Sequence, residues 1–246
     1  MAGRVAVVTG GSSGIGAATV RRLGAEGFDV IAGARRMERL RAVTELVGAT
    51  ALPLDVRHRA SVEAFAAQVE RCDVLVNNAG GALGLAPLAR SDDEHWRTMW
   101  ETNVFGLMLV TRALLPKLEA SGDGHIVNIG SIAGIETYPG GAGYTSVKHG
   151  TRAISHTLRI ELLGKPVRVT EIDPGLVETE FSVVRFGGDR ERAAKVYEGM
   201  TPLTADDIAD CIAWAVTRPR HVNIDEMVVR PTAQATATQV ARGVGL

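Results

Sequence analysis

Three residues of this chain have the types and the spacing of an acid–base pair with a hydrogen-bonding partner. Tyr144 and Lys148 are four residues apart, and Ser131 lies thirteen residues before Tyr144. Four residues are about one turn of a helix, so the phenol and the ammonium should project from one face. A nearby positive charge can lower the pKa of a tyrosine below its usual value of about 10. The pattern predicts proton exchange at a carbonyl or an alcohol.

A glycine-rich turn after the first predicted strand suggests what the acid–base pair works with. A turn of this kind lets the backbone approach a pyrophosphate, and the following helix directs its N-terminus at negative charge. Its candidate cofactor-binding residues are Gly10, Ser12, Ser13, Gly14, Ile15 and Gly16. The turn and the Tyr144–Lys148 pair together predict hydride transfer between a dinucleotide and a carbonyl or alcohol.

Arginine residues at the end of the second predicted strand indicate which dinucleotide is bound. An acidic residue at this place favours NAD, whereas arginine accommodates the 2′-phosphate of NADP. The sequence offers Arg35 and Arg36 and no carboxylate there, and a guanidinium can donate twice to a phosphate. We therefore predict NADP(H) as the cofactor.

Two further strand ends carry candidate cofactor residues. Asp55, followed by Val56, could accept a hydrogen bond from the adenine amino group or could equally cap the following turn. Small residues after the fourth strand would let the backbone lie against a ring or ribose, and amides there could tie strands together. That segment consists of Asn77, Asn78, Ala79 and Gly80.

These residues are spaced by short apolar strands that alternate with helices, a pattern typical of a parallel sheet covered on both faces. Strands are predicted at 4–9, 29–33, 49–54, 73–76, 125–130, 167–172 and 226–230. Helices are predicted at 14–26 and 37–46, from Ser61, at 91–118 and 143–163, and after Thr204. Ser91 and Thr204 should open capping boxes, each with an acidic residue three positions later.

Composition excludes several other classes of protein. The 246 residues include 27 basic and 28 acidic side chains, a balance that argues against nucleic acid or an anionic membrane as partner. No apolar run approaches the roughly 20 residues of a membrane span. Met1–Arg4 should lead straight into a strand without a signal peptide, and Cys72 and Cys211 should be core thiols. We expect a cytoplasmic protein without a metal site, since the histidines show no ligand spacing.

Taken together, the motifs resemble those of the short-chain dehydrogenase/reductase family. They span nearly the whole chain and comprise Thr9–Gly16, Asp55, Asn77–Gly80, Asn103, Ser131, Tyr144, Lys148 and Pro174–Thr179. The resemblance implies an α/β fold over 1–246, a single doubly wound, Rossmann-like domain with a seven-stranded parallel sheet. It also implies a homotetramer built by packing two long helices against their symmetry mates.

The same resemblance implies a role for each site residue. Tyr144 would be the general acid/base, Lys148 would lower its pKa and bond the nicotinamide ribose, and Ser131 would hold the substrate oxygen. Asn103 would hold a water that links Lys148 to solvent. The segment after the sixth strand would orient the carboxamide and reach phosphate through Pro174, Gly175, Val177 and Thr179.

A narrower similarity to bacterial NADP-dependent 3-hydroxy acid dehydrogenases suggests a substrate such as serine or allo-threonine. It is carried by residues 179–189 and 220–224, and the ending 230–232 is also similar to reductases of β-lactam antibiotic pathways. We predict a substrate lid at about 181–200, in which Arg185 would bind a substrate carboxylate.

Three alternatives stay open at this point. The substrate could instead be a neutral ketone, an aldehyde or an acyl-thioester of secondary metabolism. The chain could also be an NADP-binding regulator that has lost catalysis, although the intact site residues argue against this. The tail at about 232–246 would be mobile unless a subunit contact orders it.

Overall fold

A single sheet of seven parallel strands organises the chain, as predicted. The computed structural model describes residues 3–244, so Met1, Ala2 and the last two residues of the predicted tail lie outside it. The strand order is β3-β2-β1-β4-β5-β6-β7. The strands are β1 (Val5–Thr9), β2 (Asp29–Ala34), β3 (Thr50–Pro53), β4 (Val74–Asn77), β5 (Gly124–Ile129), β6 (Val167–Pro174) and β7 (Glu226–Val229).

Helices connect the strands and cover both faces of the sheet. They are α1 (Gly14–Ala25), α2 (Met37–Glu45), α3 (Arg59–Ala67), α4 (Asp93–Trp100), α5 (Gly106–Ala120), α6 (Ala142–Glu161), α7 (Phe181–Arg185), α8 (Arg190–Lys195) and α9 (Ala205–Val216). No helix in the described range 3–244 combines the length and apolarity that crossing a bilayer requires.

Alternate residues of the strands pack into two separate apolar cores, one on each face of the sheet. Val8 on β1 packs in a cluster with Leu40 of α2 and Ile208 of α9. Its neighbour Val7 faces the other side, where its cluster includes Leu114 of α5. Because successive strand side chains point to opposite faces, this alternation places α1, α2 and α9 on one face and α3 and α5 on the other.

The strand order reverses between β1 and β4, and this is where a doubly wound sheet opens a crevice. The turn after β1 lies there, with Gly10 and Gly14 in left-handed backbone conformations that favour glycine. A side chain at Gly16 would come within 2.3 Å of the Gly10 carbonyl oxygen. The glycines therefore let α1 start directly against the edge of the sheet.

The predicted helix starts were partly wrong. Ser91 does not cap α4, because its hydroxyl donates to Leu88 while Asp92 accepts from the backbone N–H groups of residues 94 and 95. Helix α3 begins at Arg59, two residues before Ser61, whose hydroxyl instead accepts from the Asp55 N–H. The capping box at Thr204 is confirmed.

The long helix predicted at 91–118 is one helical run with a widened turn in its middle. Residues 101–105 form a π-helical turn between α4 and α5. Asn103 lies in this turn, and its amide donates to the Met99 carbonyl and to the backbone of Gly81. Such turns often occur at functional sites, and this one directs Asn103 at the loop after β4.

Candidate active site

A cleft of about 640 Å³ lies over the C-terminal ends of the strands. Most of the residues predicted to contact cofactor or substrate line it. They are Gly10, Ser12, Ser13, Gly14, Ile15, Arg35, Arg36, Asp55, Val56, Asn78, Ala79, Gly80, Ser131, Tyr144, Lys148, Pro174, Gly175, Val177, Thr179 and Arg185. Three others do not line it: Gly16, Asn77 and Asn103 form the layer behind its wall.

Tyr144, Lys148 and Ser131 meet on the floor of the cleft. The Lys148 Nζ lies 5.8 Å from the centre of the Tyr144 ring and donates to the Ile129 carbonyl at 2.8 Å. Ser131 follows β5, and its hydroxyl oxygen accepts from the Ala133 N–H. The hydroxyl also lies close enough to the Tyr144 phenol to influence its pKa. The arrangement places one hydroxyl, one phenol and one ammonium where a substrate oxygen could be held.

The electrostatics of Tyr144 differ from the prediction. Burial raises the pKa of Tyr144 above its ordinary value, the nearby Tyr138 adds to this, and the Ser131 hydrogen bond and the Arg185 charge oppose it. Burial also lowers the pKa of Lys148 to about 8, against the attraction of two acidic side chains on β6. The lysine therefore does not override burial in this structure, and the neutral phenol is the favoured form.

Asparagine side chains fix the loop after β4. Asn77 is buried and donates to Thr111 and Asn128, which ties neighbouring strands as the sequence suggested. Asn78 donates to the Thr9 carbonyl at 2.9 Å. The Asn103 amide exchanges hydrogen bonds with both backbone groups of Gly81. The water-holding role of Asn103 stays a prediction.

Basic side chains line the outer mouth of the cleft. Arg36 donates to the Ser13 hydroxyl at 2.6 Å and to Glu180 at 2.9 Å, and Arg39 reaches the other oxygen of Glu180 at 2.7 Å. Arg35 is exposed and has no ion pair with any residue between 3 and 244. Two guanidiniums thus stand beside the turn after β1, where a phosphate could be bound.

Asp55 forms an ion pair with Arg57, a residue that was not predicted to belong to the site. Its carboxylate accepts two hydrogen bonds from the Arg57 guanidinium and one from the Arg57 N–H. These bonds, opposed by partial burial, lower the pKa of Asp55 to about 2. The turn-capping interpretation is favoured by this geometry. Arg57 lines the cleft as well, and its position two residues after Asp55 was the available clue.

The segment predicted as a lid covers one side of the cleft through α7 and through Tyr197, which follows α8. Phe181 meets the Tyr144 ring edge-on with 5.4 Å between ring centres. Arg185 donates to the Gly84 carbonyl and to the Tyr138 hydroxyl, and its guanidinium lies 5.8 Å from the centre of the Tyr144 ring. No acidic partner of Arg185 occurs in residues 3–244, so its charge is free to pair with an anion.

The described part of the tail, residues 232–244, contacts the cleft within the same chain, and this part of the site was not predicted. Gln234 accepts from the Leu176 N–H at 2.8 Å and crowds Gly175. Glu136 accepts from Arg230 and from the Ala237 N–H. A small-residue segment without periodicity gave no sign of these contacts.

The chain is similar in sequence to a known protein family and to individual oxidoreductases. The family model described as short chain dehydrogenase matches residues 4–186. An uncharacterized oxidoreductase of Mycobacterium tuberculosis (strain ATCC 25618 / H37Rv) is 61% identical over 238 residues, 97% of this chain and 95% of the relative. The NADP-dependent 3-hydroxy acid dehydrogenase of Salmonella typhi is 47% identical over 240 residues, 95% of this chain and 97% of the relative.

A solved structure supports the same grouping. It is described as the closed form of serine dehydrogenase complexed with NADP+, and it has a TM-score of 0.92 and 42% identity to this chain. The match covers 97% of this chain and 99% of that one. With the glycine turn and the Ser131–Tyr144–Lys148 floor in place, the chain belongs to the short-chain dehydrogenase family.

Proposed function

We propose that this chain is an NADP-dependent oxidoreductase that acts on a small 3-hydroxy acid, such as serine or allo-threonine. The observation that carries the substrate class is Arg185, a cation without an acidic partner among the described residues, beside the Tyr144 ring. Two relatives support it by their names, which mention 3-hydroxy acids, serine and NADP. The M. tuberculosis relative, although more similar, carries no substrate in its name.

The residues of the cofactor half fit NADP. Residues of the glycine turn line the cleft at the N-terminus of α1, where the helix dipole favours negative charge and a pyrophosphate could be bound. Arg35 and Arg36 would hold the 2′-phosphate, and Arg36 is oriented for this by its bond to Ser13. When bound, NADP supplies or accepts the hydride.

The side chains on the floor of the cleft would transfer the proton that accompanies the hydride. In reduction, Tyr144 donates its phenolic proton to the carbonyl oxygen of the substrate, which the Ser131 hydroxyl holds within reach. In oxidation, the phenolate accepts the proton of the substrate hydroxyl. Burial favours the neutral phenol, which is the form that donates the proton in reduction.

Arg185 would select the substrate by its charge. A carboxylate that accepts two hydrogen bonds from a guanidinium is fixed in orientation as well as in position. The contacts of Arg185 with Gly84 and Tyr138 use its Nε and one terminal nitrogen, so the remaining N–H groups can face the cleft. A 3-hydroxy acid bound in this way would carry its hydroxyl toward Tyr144.

An apolar surface favours a second candidate, a reductase of a neutral ketone, aldehyde or acyl-thioester. Phe181, Val184 and Phe186 line the lid side of the cleft and would accept an uncharged chain. The floor chemistry would be the same for both candidates. The charge on the substrate therefore decides between them.

A comparison of Arg185→Gln with Arg192→Gln tests the proposal. Arg192 lies in the same lid, is exposed and stacks on Phe186, so it controls for loss of lid charge. Hydrogen bonds to a charged group contribute about 1.5–3 kcal/mol, so Arg185→Gln should raise the KM for serine and 3-hydroxyisobutyrate roughly ten- to hundredfold. The KM for a neutral ketone should stay unchanged in both variants. Equal effects on charged and neutral substrates would contradict the proposal.

Two further expectations from the sequence stay predictions. The homotetramer implied by the family resemblance can be checked by analytical ultracentrifugation of the purified protein. The cytoplasmic location can be checked by cell fractionation. An NADP-binding regulator without catalysis would show NADPH binding and no turnover with serine, 3-hydroxyisobutyrate or a neutral ketone.

A further inference from the structure

Two acidic side chains lie directly behind the floor of the cleft. Glu171 and Asp173 are two residues apart on β6, so they share a face of the sheet, and both are completely buried. Asp173 Oδ1 accepts from the Ser131 N–H at 2.8 Å. A Cβ atom at Gly130 would lie 2.1 Å from Asp173 Oδ1 and 2.7 Å from Glu171 Oε1, so both carboxyl groups crowd the same point.

The hydrogen bonding of this pair is incomplete if both groups are ionised. Within residues 3–244, both oxygens of Glu171 and the Oδ2 of Asp173 are buried and lack a well-formed hydrogen bond, although the side chains of Ser155 and Asp173 lie close enough to Glu171 to affect its pKa. Two adjacent carboxylates in a buried site repel each other and lose their hydration, which is costly. One proton held between them removes one charge and supplies one donor, so that the pair keeps a single negative charge.

The charged groups around the pair leave Lys148 as its counter-ion. Arg152 on α6 also faces the pair, but Glu226 on β7 binds its guanidinium at 2.6 Å. Lys148 has the Ile129 carbonyl as its hydrogen-bond acceptor, and the two acidic groups of β6 attract its ammonium. The titratable or charged groups facing this region are Tyr138, Tyr144, Lys148, Arg152, Glu171, Asp173, Arg185 and Glu226.

We propose that Glu171 and Asp173 form a proton-sharing pair whose single negative charge keeps Lys148 charged, while Asp173 anchors Ser131 through its backbone. Both are positioning residues, since they act through Ser131 and Lys148. The inference rests on the proposed function insofar as Tyr144, Ser131 and Lys148 perform the proton chemistry. It adds an assignment for the buried acids of β6, which the resemblance leaves without a role.

The proton-sharing pair should make the free energy of unfolding depend on pH. Burial, the charge of Glu171 and other acids raise the pKa of Asp173 to about 8, against its bond from Ser131, and burial also raises the pKa of Glu171. A carboxyl with a raised pKa holds a proton in the folded state that the unfolded chain has released. Its contribution to stability is therefore complete below pH of about 4 and is lost as the pH rises to about 8.

A window of pH isolates this effect. Burial lowers the pKa of His125 to about 3, so its ionisation in the unfolded chain makes stability rise with pH up to about 6.5 and opposes the pair there. The lowered pKa of Lys148, about 8, acts above that value. Between pH 6.5 and 8, stability should fall because of the pair.

Amide variants test the shared proton. Glu171→Gln and Asp173→Asn each leave one carboxylate, whereas the double variant leaves Lys148 without its buried counter-charge. In NADPH-dependent reduction, the single variants should lose much less activity than the double variant. The alkaline limb of the double variant's pH profile should move about one unit toward acid, because Lys148 then loses its proton at lower pH. A double variant that shows only the product of the two single effects, with an unmoved limb, would overturn the proposal.

Urea unfolding gives a readout that does not depend on turnover. The urea midpoint of the wild type should decrease as the pH rises from 6.5 to 8. Each single variant should show a smaller decrease, whereas Asp123→Asn, directly before the N-terminal end of β5, should keep the wild-type decrease. A flat wild-type midpoint, or single variants with the wild-type slope, would overturn the shared proton. If neither serine, 3-hydroxyisobutyrate nor a neutral ketone is turned over, the proposed function fails, whereas the dependence of the urea midpoint on pH still tests the proton-sharing pair.

Discussion

The two walls of the cleft are built in different ways. The cofactor wall, residues 10–15, 34–36 and 78–81, consists of turns that leave neighbouring strands and is held by the strands themselves. The Gly10 N–H donates to the Gly33 carbonyl at 2.8 Å, across one strand pair. The substrate wall comprises Tyr138, the segment 181–200 that we predict to be a lid, and the tail at 232–244. Its contacts join distant segments, such as Arg185 with Gly84.

This difference separates what the fold requires from what the substrate requires. A cofactor wall made of backbone and glycine follows from the topology of the sheet and suits a ligand common to many enzymes. A substrate wall made of side chains from three segments can change one residue at a time without disturbing the sheet. Variants in the two walls should therefore have separable effects.

The largest effect is expected at the border between the walls. Tyr144→Phe removes the proton donor and should lower kcat by roughly 10²- to 10⁴-fold, because general acid–base groups contribute about that much. NADPH binding, measured by fluorescence titration, should be nearly unchanged. Turnover within a few-fold of wild type would remove Tyr144 from the proposed chemistry.

A change in the cofactor wall should alter one binding constant. Arg35→Asp removes a partner of the 2′-phosphate and adds repulsion, so the Kd of NADPH should rise roughly ten- to hundredfold at low salt. The Kd of NADH should change much less. Arg41→Asp, an exposed change of the same charge on α2, serves as control and should leave both constants in place. An unaltered NADPH affinity in Arg35→Asp would show that the arginine is a solvated surface residue.

A change in the tail should have the smallest effect and should be confined to the substrate wall and the nicotinamide end. Gln234→Ala removes one hydrogen bond to the Leu176 N–H, worth about 0.5–1.5 kcal/mol, so kcat/KM should fall up to roughly tenfold. Gln239→Ala, an exposed glutamine of the same tail, is the matched control. A Gln234→Ala variant that changed NADPH binding alone would contradict the expectation that the two walls act separately.

The sequence predicted the sheet well because its patterns are local. Apolar strands between helices, and the turns at their ends, can be recognised from about ten consecutive residues. All seven strands lie within one or two residues of their predicted positions. The start of α4 was misplaced because Ser91 and Asp92 both satisfy the chemistry of an N-cap. Only the backbone path decides that Asp92 takes the position.

The site was predicted to the extent that it follows strand ends. Residues of the cofactor wall and floor came from motif spacing, whereas Gln234 and Tyr138 reach the cleft through tertiary contacts that spacing does not encode. The raised pKa of Tyr144 could not be predicted either, because it results from burial by residues distant in sequence. The assumption that Lys148 controls the phenol neglected desolvation, the largest influence on both groups.

The bridge from Glu180 to Arg36 and Arg39 has a consequence for the behaviour of the lid. All three side chains are about half exposed, and ion pairs of this kind are worth at most about 1 kcal/mol and are screened by physiological salt. Such a tether is easily released. Rising ionic strength should loosen the segment that begins at Glu180, so the openness of the cleft mouth varies with the ionic composition of the surroundings.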